Sequence, residues 1–322
     1  MLGPHDVGHR VVVRRIVGVR GNRPQFTDVL GDLIGYDATG LTVAARTGPQ
    51  RIRHDEIHAA KRVPRSRTEI ADLERVANAA WPAPVQEPLG GWILRAADGW
   101  TGRANSALPL GDPGMSRGEA IDAVADWYAA RGLPARINVP LPLAAGLDAT
   151  LTARGWARSP DVLVLSAPLA RVLEGPEPDL PKVKLDVAPD DAWLAVVTAR
   201  KRGLPAAARQ VLTGPAAVRF ASVERDLAVA RGAVVGGWLH LSLLEVAERA
   251  RRQGLARHVT RALAAWAAGS GGGTAFLQVE SGNPAARALY AGLGFATHHT
   301  YVTRTNAGPP SAASPPASSR TA

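Results

Sequence analysis

Arg251-Arg252-Gln253-Gly254-Leu255-Ala256 lies between an apolar stretch, Trp238 to Val246, and a segment in which Val259, Leu263, Trp266 and Ala267 recur at helical spacing. The first neighbour reads as a mostly buried strand and the second as a helix that begins near Gly254. A strand that feeds a helix through such a loop presents the helix's first free N–H groups and the positive end of its dipole, a site for an anion such as a diphosphate. Gly254 lets the backbone approach closely, Ala256 leaves room, and Arg251 and Arg252 add charge. A solvated arginine turn would show the same residues, so the loop alone does not decide the matter.

The residues downstream do. Thr274 to Val279 reads as a second strand, followed by Asn283-Pro284 and a helix with Ala286, Leu289, Tyr290 and Leu293 at i, i+3, i+4 and i+7, closed by Gly294-Phe295. The order strand, Arg-x-x-Gly-x-Ala, helix, strand, Asn, Ala-Leu-Tyr-x-x-Leu-Gly-Phe over residues 238–304 resembles the GNAT superfamily of acetyl-CoA-dependent N-acetyltransferases. The resemblance implies an α/β (α+β) GNAT fold with a mixed central sheet. It also implies acetyl-CoA as cosubstrate, with direct transfer of the acetyl group to a primary amine.

Carried onto this chain, the resemblance gives the backbone around Leu244 and Val246 to the pantetheine arm and Arg251, Arg252, Gln253, Gly254, Leu255 and Ala256 to the diphosphate. Asn283 matches the asparagine that helps to hold the cofactor, and Tyr290 the tyrosine that protonates the departing thiolate. A phenol with a pKa near 10 is protonated at neutral pH and suits that task. The base that takes the amine's proton stays open among His240, Glu245 and Glu280, or no dedicated group at all. His240 falls where many members carry a glutamate, and an imidazole titrates near neutrality. His298 and His299 are adjacent on a strand and are expected to face opposite ways, so that at most one reaches the site.

Composition narrows the alternatives. The 322 residues leave room for two or three domains. No apolar run approaches the roughly 20 residues that span a bilayer, and no signal-like leader appears, so the expected location is cytoplasmic, with no membrane partner. The absence of cysteine removes disulfides and thiolate ligands, and the eight histidines show no ligand spacing, so no metal is expected. The net charge of +10 comes from arginines spread along the chain, with Lys only at 61, 182, 184 and 201. An anionic cofactor accounts for part of it. A nucleic-acid partner, or a non-catalytic acetyl-CoA sensor, is the alternative, but no aromatic cluster suited to stacking bases accompanies the arginines.

Residues 1–63 read as short strands, Gly8 to Val17, Phe26 to Tyr36, Leu41 to Arg46 and Gln50 to His54, with a turn at Asp37-Ala38-Thr39-Gly40. They predict a small SH3-like β-barrel whose arginines either face solvent or meet an acidic partner. Ser66-x-x-Glu69 and Ser116-x-x-Glu119 are capping boxes that open two helices. A helix ending in Gly155-Trp156 and followed by a strand echoes the helix ending in Gly294-Phe295, so residues 66–175 are expected to repeat the fold of 182–305 as a degenerate GNAT-like lobe. That lobe lacks the Arg-x-x-Gly-x-Ala loop, and its expected task is to pack against the catalytic lobe and wall the acceptor cleft. The architecture foreseen is thus two tandem lobes behind a barrel, joined by a linker over Pro168 to Pro181 and ending in a disordered Pro/Ser/Ala tail, 306–322. The layout resembles an actinobacterial group of GNAT proteins with an N-terminal SH3-like domain. The amine itself, small molecule or protein, is not specified by these motifs.

Overall fold

A computed structural model of the chain describes residues 2–176, 179–198, 204–224 and 226–306. The foreseen tail beyond Asn306, and Glu177 and Pro178 of the foreseen linker, lie outside the described residues.

The N-terminal strands are β1 (Arg10–Arg20), β2 (Arg23–Asp37), β3 (Gly40–Ala45), β4 (Gly48–Arg53) and β5 (Ile57–Arg62), all antiparallel in the order β4-β3-β2-β1-β5. The turn at Asp37 forms as its sequence dictates: the carboxylate accepts the backbone N–H groups of Thr39 at 2.8 Å and Gly40 at 3.2 Å. Val11, Val13, Val29, Leu33, Leu41, Val43 and Ile52 fill one face. The barrel expected here does not form. Closure requires the two edge strands to hydrogen-bond each other, and β5 instead crosses to pair with β1, leaving β4 and β5 as free edges of an open sheet. Short alternating strands separated by turns specify the pleated face but not closure, so the sequence pattern does not distinguish the two.

The α/β body begins with α1 (Arg67–Ala80), whose Ser66 and Glu69 cap each other's backbone N–H groups. Then come β6 (Val85–Leu89), β7 (Trp92–Ala96), β8 (Leu108–Pro109), α2 (Arg117–Ala129), β9 (Ala135–Leu141), α3 (Ala145–Ala153), β10 (Ala157–Arg158), β11 (Val162–Pro168) and α4 (Leu169–Val172). The second half follows with β12 (Lys184–Asp186), α5 (Asp191–Thr198), α6 (Ala206–Thr213), β13 (Ala217–Val223), β14 (Ala228–Val235), β15 (Trp238–Val246), α7 (Leu255–Gly269), β16 (Thr274–Glu280), α8 (Pro284–Ala291) and β17 (Ala296–Asn306). No helix among the described residues is long and apolar enough to cross a membrane.

Strands of both halves share one nine-stranded mixed sheet, ordered β10-β17-β11-β16-β15-β14-β13-β12, with β9 also paired to β17. The halves exchange their last strands. β11 lies between β16 and β17, in register from Val162 opposite Glu280 to Pro168 opposite Thr274, while β17 crosses to β9, from Thr300 opposite Leu141 to Asn306 opposite Ala135. Gly155 and Gly294 both adopt positive φ, 75° and 83°, and the next residue's N–H returns to the helix, Trp156 to Leu151 and Phe295 to Tyr290, each at 3.0 Å. The repeated Gly-aromatic stop therefore launches the two exchanged segments. One face of the sheet packs on α7 through Leu255, Val259 and Leu263; the other carries Leu73, Trp81, Trp193, Val211 and Phe220.

Candidate active site

The site originates where two parallel strands part. β15 and β16 pair only from Trp238 opposite Thr274 to His240 opposite Phe276. Beyond His240 a bulge interrupts β15: Arg231 faces Ser242 and Val229 faces Glu245, so Leu243 and Leu244 together oppose Ala230. Leu243 takes φ 54°, a left-handed conformation that costs an L-residue about 1–2 kcal/mol. The divergence opens a cavity of about 410 Å3 lined by Ser242, Leu243, Gln278 and Glu280 and, from the preceding half, by Trp81 and Arg103.

At the end of β15 the loop reaches α7. Gly254 is its N-cap, at φ 86° and ψ −5°, with no side chain capping the helix. Arg251, Arg252, Gln253 and Gly254 are exposed, while Leu255 is buried and anchors the turn. The first-turn N–H groups are therefore open to a ligand. The corresponding start of α2 is closed by its own residues: Ser116 Oγ accepts the Glu119 N–H at 3.3 Å, and the Glu119 carboxylate accepts the Ser116 N–H at 2.9 Å. A second cavity of about 720 Å3 adjoins the open loop, lined by Gln253, Gly254, Arg257, Arg261 and Gly292 among others.

Asn283 is the N-cap of α8, its Oδ1 accepting the Ala286 N–H at 3.0 Å, and Pro284 occupies the first helical position. Tyr290 is buried in the same apolar cluster against which Leu244 and Val246 pack, with its ring 5.4 Å from that of Phe295. Burial, and then the charge of Glu245, push its pKa above the usual phenol value, so the hydroxyl stays protonated. Glu245 follows the bulge, whereas Glu280 stands exposed at the end of β16 on the cavity wall.

His240 is fully buried, stacked on Phe276 at 4.9 Å and edge-on to Trp81 at 6.0 Å. Its Nε2 lies 3.1 Å from Gln278 Oε1 and 3.3 Å from Arg103 Nη1. A guanidinium only donates and an amide oxygen only accepts, so this nitrogen satisfies one of the two at a time. Burial, then the charges of Arg103 and Arg231, hold its pKa well below the ordinary imidazole value. His240 is thus a neutral link between Arg103 and Gln278. His298 and His299 do not face apart as foreseen: Val164 pairs with His299 and Leu165 with Thr297, which leaves His298 as a bulge. Their Nδ1 atoms come within 2.8 Å, and His299 Nε2 lies 2.8 Å from Glu74, away from the cavity-lining residues.

Trp81, Arg103, Arg231 and Gln278 also belong to this region, and none of them falls in a motif of the sequence. Two of them carried a signal, since Arg231 and Gln278 are lone polar residues inside apolar strands and had to be accounted for. Arg231 donates to the carbonyls of Leu212 and Ala80 at 2.8 and 3.0 Å and approaches Ser242 Oγ at 3.4 Å. Burial lowers its pKa to about 9, which keeps it charged at neutral pH. Arg103 sits in the turn after Asp98-Gly99, where nothing in the local pattern announces it.

A model of the family described as "Probable histone acetyltransferase Rv0428c C-terminal" matches residues 67–303. The chain is 33% identical over 307 residues to the probable histone acetyltransferase Rv0428c of Mycobacterium tuberculosis, across 91% of this chain and 93% of that protein. It is 29% identical over 250 residues to the uncharacterized N-acetyltransferase YobR of Bacillus subtilis, across 73% of this chain and 99% of the relative. A GCN5-related N-acetyltransferase from Kribbella flavida shares the fold, with a TM-score of 0.56 at 17% identity over 74% of this chain and 96% of that one. With the diverging strands and the open helix start already in place, these matches establish that the chain belongs to the Rv0428c C-terminal family and is a GNAT-superfamily acetyl-CoA-dependent acetyltransferase.

Proposed function

We propose that this chain transfers the acetyl group of acetyl-CoA directly to a primary amine held in the cleft between β15 and β16, and that only the second half binds acetyl-CoA. The observation that carries this reading is the uncapped start of α7 at a left-handed Gly254, directly below the divergence of the two strands. The donor set fits the group: free N–H groups and arginines for a diphosphate, and the bulged backbone around Leu244 and Val246 for a pantetheine amide. Arg257, on the second cavity, suits the phosphorylated nucleotide end, whereas Arg261 is committed to the carbonyls of Val172, Glu174 and Pro176. Asn283 holds the start of α8 in place. The self-capped start of α2, with the Glu119 carboxylate on the Ser116 N–H and the Ser116 hydroxyl on the Glu119 N–H, disfavours a diphosphate in the first half.

In this reading the amine nitrogen forms its bond to the thioester carbonyl carbon, the C–S bond breaks, and Tyr290 gives its phenol proton to the departing thiolate. Glu280 is placed on the cleft wall to take the proton that the amine loses, with Glu245 the rival beside Tyr290. His240 positions Arg103 and Gln278 and stays neutral. The name of the mycobacterial relative, a probable histone acetyltransferase, places a lysine side chain among the acceptor amines to assay. Thiol release from acetyl-CoA on addition of amines tests the reading. Turnover with at least one amine, abolished by blocking the α7 loop, is the expected result; an absence of acetyl-CoA binding refutes it.

A further inference from the structure

The cleft is built with cations that lack counterions. Arg95 and Arg231, 2% and 0% exposed, direct their N–H groups to neutral acceptors: Arg95 to the carbonyl and hydroxyl of Ser106 and to Asn78 Oδ1, Arg231 to two carbonyls and Ser242. Neither makes an ion pair among the described residues. Arg103 is different, because it lines the cavity itself. Its Cζ lies 5.7 Å from the centre of the Trp81 ring, its Nη1 faces the neutral His240, and its Nε is buried without any hydrogen-bond acceptor. No carboxylate pairs with it among the described residues. Among the described residues, Glu280 is the only acidic one on the cavity wall.

A guanidinium drawn out of water toward a cavity, with a donor left unmatched and a second buried cation behind it, is completed by an anion that arrives with the ligand. Its planar fork matches a carboxylate or a phosphate. The cavity volume of about 410 Å3 falls in the range of small-molecule sites. We propose that Arg103 is the anion-binding residue of the acceptor cleft, so that the amine accepted here is a small molecule that also carries an anionic group, a carboxylate or a phosphate, with its amine toward Glu280. The proposal rests on the reading of this cleft as the acceptor side of the transferase. It separates this chain's acceptor from the lysine of a cationic peptide, whose charge Arg103 and Arg231 would repel.

The test combines acetyl-CoA titration with thiol-release kinetics on paired acceptors: glycine, β-alanine and phosphoethanolamine against glycinamide, ethanolamine and a lysine-rich peptide. In the wild-type chain an anionic acceptor is preferred at least tenfold in kcat/KM over its neutral counterpart, and the glycine and phosphoethanolamine arms tell carboxylate from phosphate. In Arg103→Gln that preference collapses toward one while the Kd of acetyl-CoA stays within twofold, and Arg103→Lys restores part of it. A merely structural role would lower both members of a pair alike and would overturn the assignment. So would a wild-type chain that binds acetyl-CoA but acetylates neutral or cationic amines as well as anionic ones, a result that needs no variant to fold. Failure of acetyl-CoA to bind at all is a separate outcome, which removes the transferase reading and this proposal with it.

Discussion

Replacing Gly254 by alanine separates the loop's role in folding from its role in binding. At φ 86° the residue sits in a basin that costs an L-amino acid about 1–2 kcal/mol. The added Cβ meets only Leu180 Cδ1, at 3.7 Å, an ordinary van der Waals distance, so no clash adds to the backbone term. Gly254→Ala should therefore fold, with its unfolding free energy lowered by about 1–2 kcal/mol in urea denaturation. Relief of that strain rotates the first N–H groups of α7, and the methyl group stands where a diphosphate has to approach. We expect the acetyl-CoA affinity measured by calorimetry to fall at least tenfold, about 1.4 kcal/mol or more. Gly271 provides the control: its φ is 82° and a Cβ there meets nothing within 4 Å. Gly271→Ala should show a similar loss of stability with unaltered affinity. Wild-type affinity in Gly254→Ala, or an equal loss of affinity in Gly271→Ala, would refute the reasoning.

Tyr290→Phe keeps the buried ring and removes the hydroxyl that carries the proton, so kcat should fall about a hundredfold or more while the Kd for acetyl-CoA holds within twofold; unchanged turnover discards the acid role. Acid should weaken the fold through its buried histidines. Burial, then the charge of Arg65, brings the His298 pKa down to about 2, and His240 also lies well below the ordinary value of about 6.5. A depressed folded-state pKa leaves stability intact above the unfolded value and removes it as pH falls, because only the unfolded chain binds the proton there. From pH 7.5 to 5.0 the His298 shift corresponds to a loss of about 2 kcal/mol, and His240 acts in the same direction. His298→Gln should show a smaller drop across that range by about that amount, and an identical drop shows that His298 is not the titrating group. The exchanged strands predict that residues 179–306 alone do not fold cooperatively, because removal of β11 strips the ladders from β16 and β17. A monomeric fragment that unfolds cooperatively and binds acetyl-CoA like the full chain contradicts the exchange.

The parts legible in the sequence are those specified by local chemistry. Trp238–Val246, the start of α7 after Gly254 and the Ser66 and Ser116 caps each depend on residues close in sequence, and each forms where the pattern places it. Strand partnership is different. Val162 to Leu165 reads as a strand from its own residues, but nothing in them says that its neighbours are β16 and β17, more than a hundred residues away. The same gap explains the missing barrel, since closure is a property of edges and not of any one strand. Two bulges are also silent in the sequence. Leu243 and His298 carry no glycine to mark a break, and each redirects a side chain that alternation would have placed elsewhere. Arg103 was hidden for the same reason as the exchange: its meaning comes from Trp81, His240 and the cavity, all brought to it by tertiary packing.

The most direct test of the central claim is a crystal structure of the chain with acetyl-CoA bound. The expected result is one molecule per chain, its diphosphate on the N–H groups of Gly254, Leu255 and Ala256 and its thioester between β15 and β16, facing the cavity that holds Arg103 and Glu280. Acetyl-CoA seated instead in the first half, in the cavity lined by Gly111, Met115 and Arg117, or in both halves at once, would contradict it.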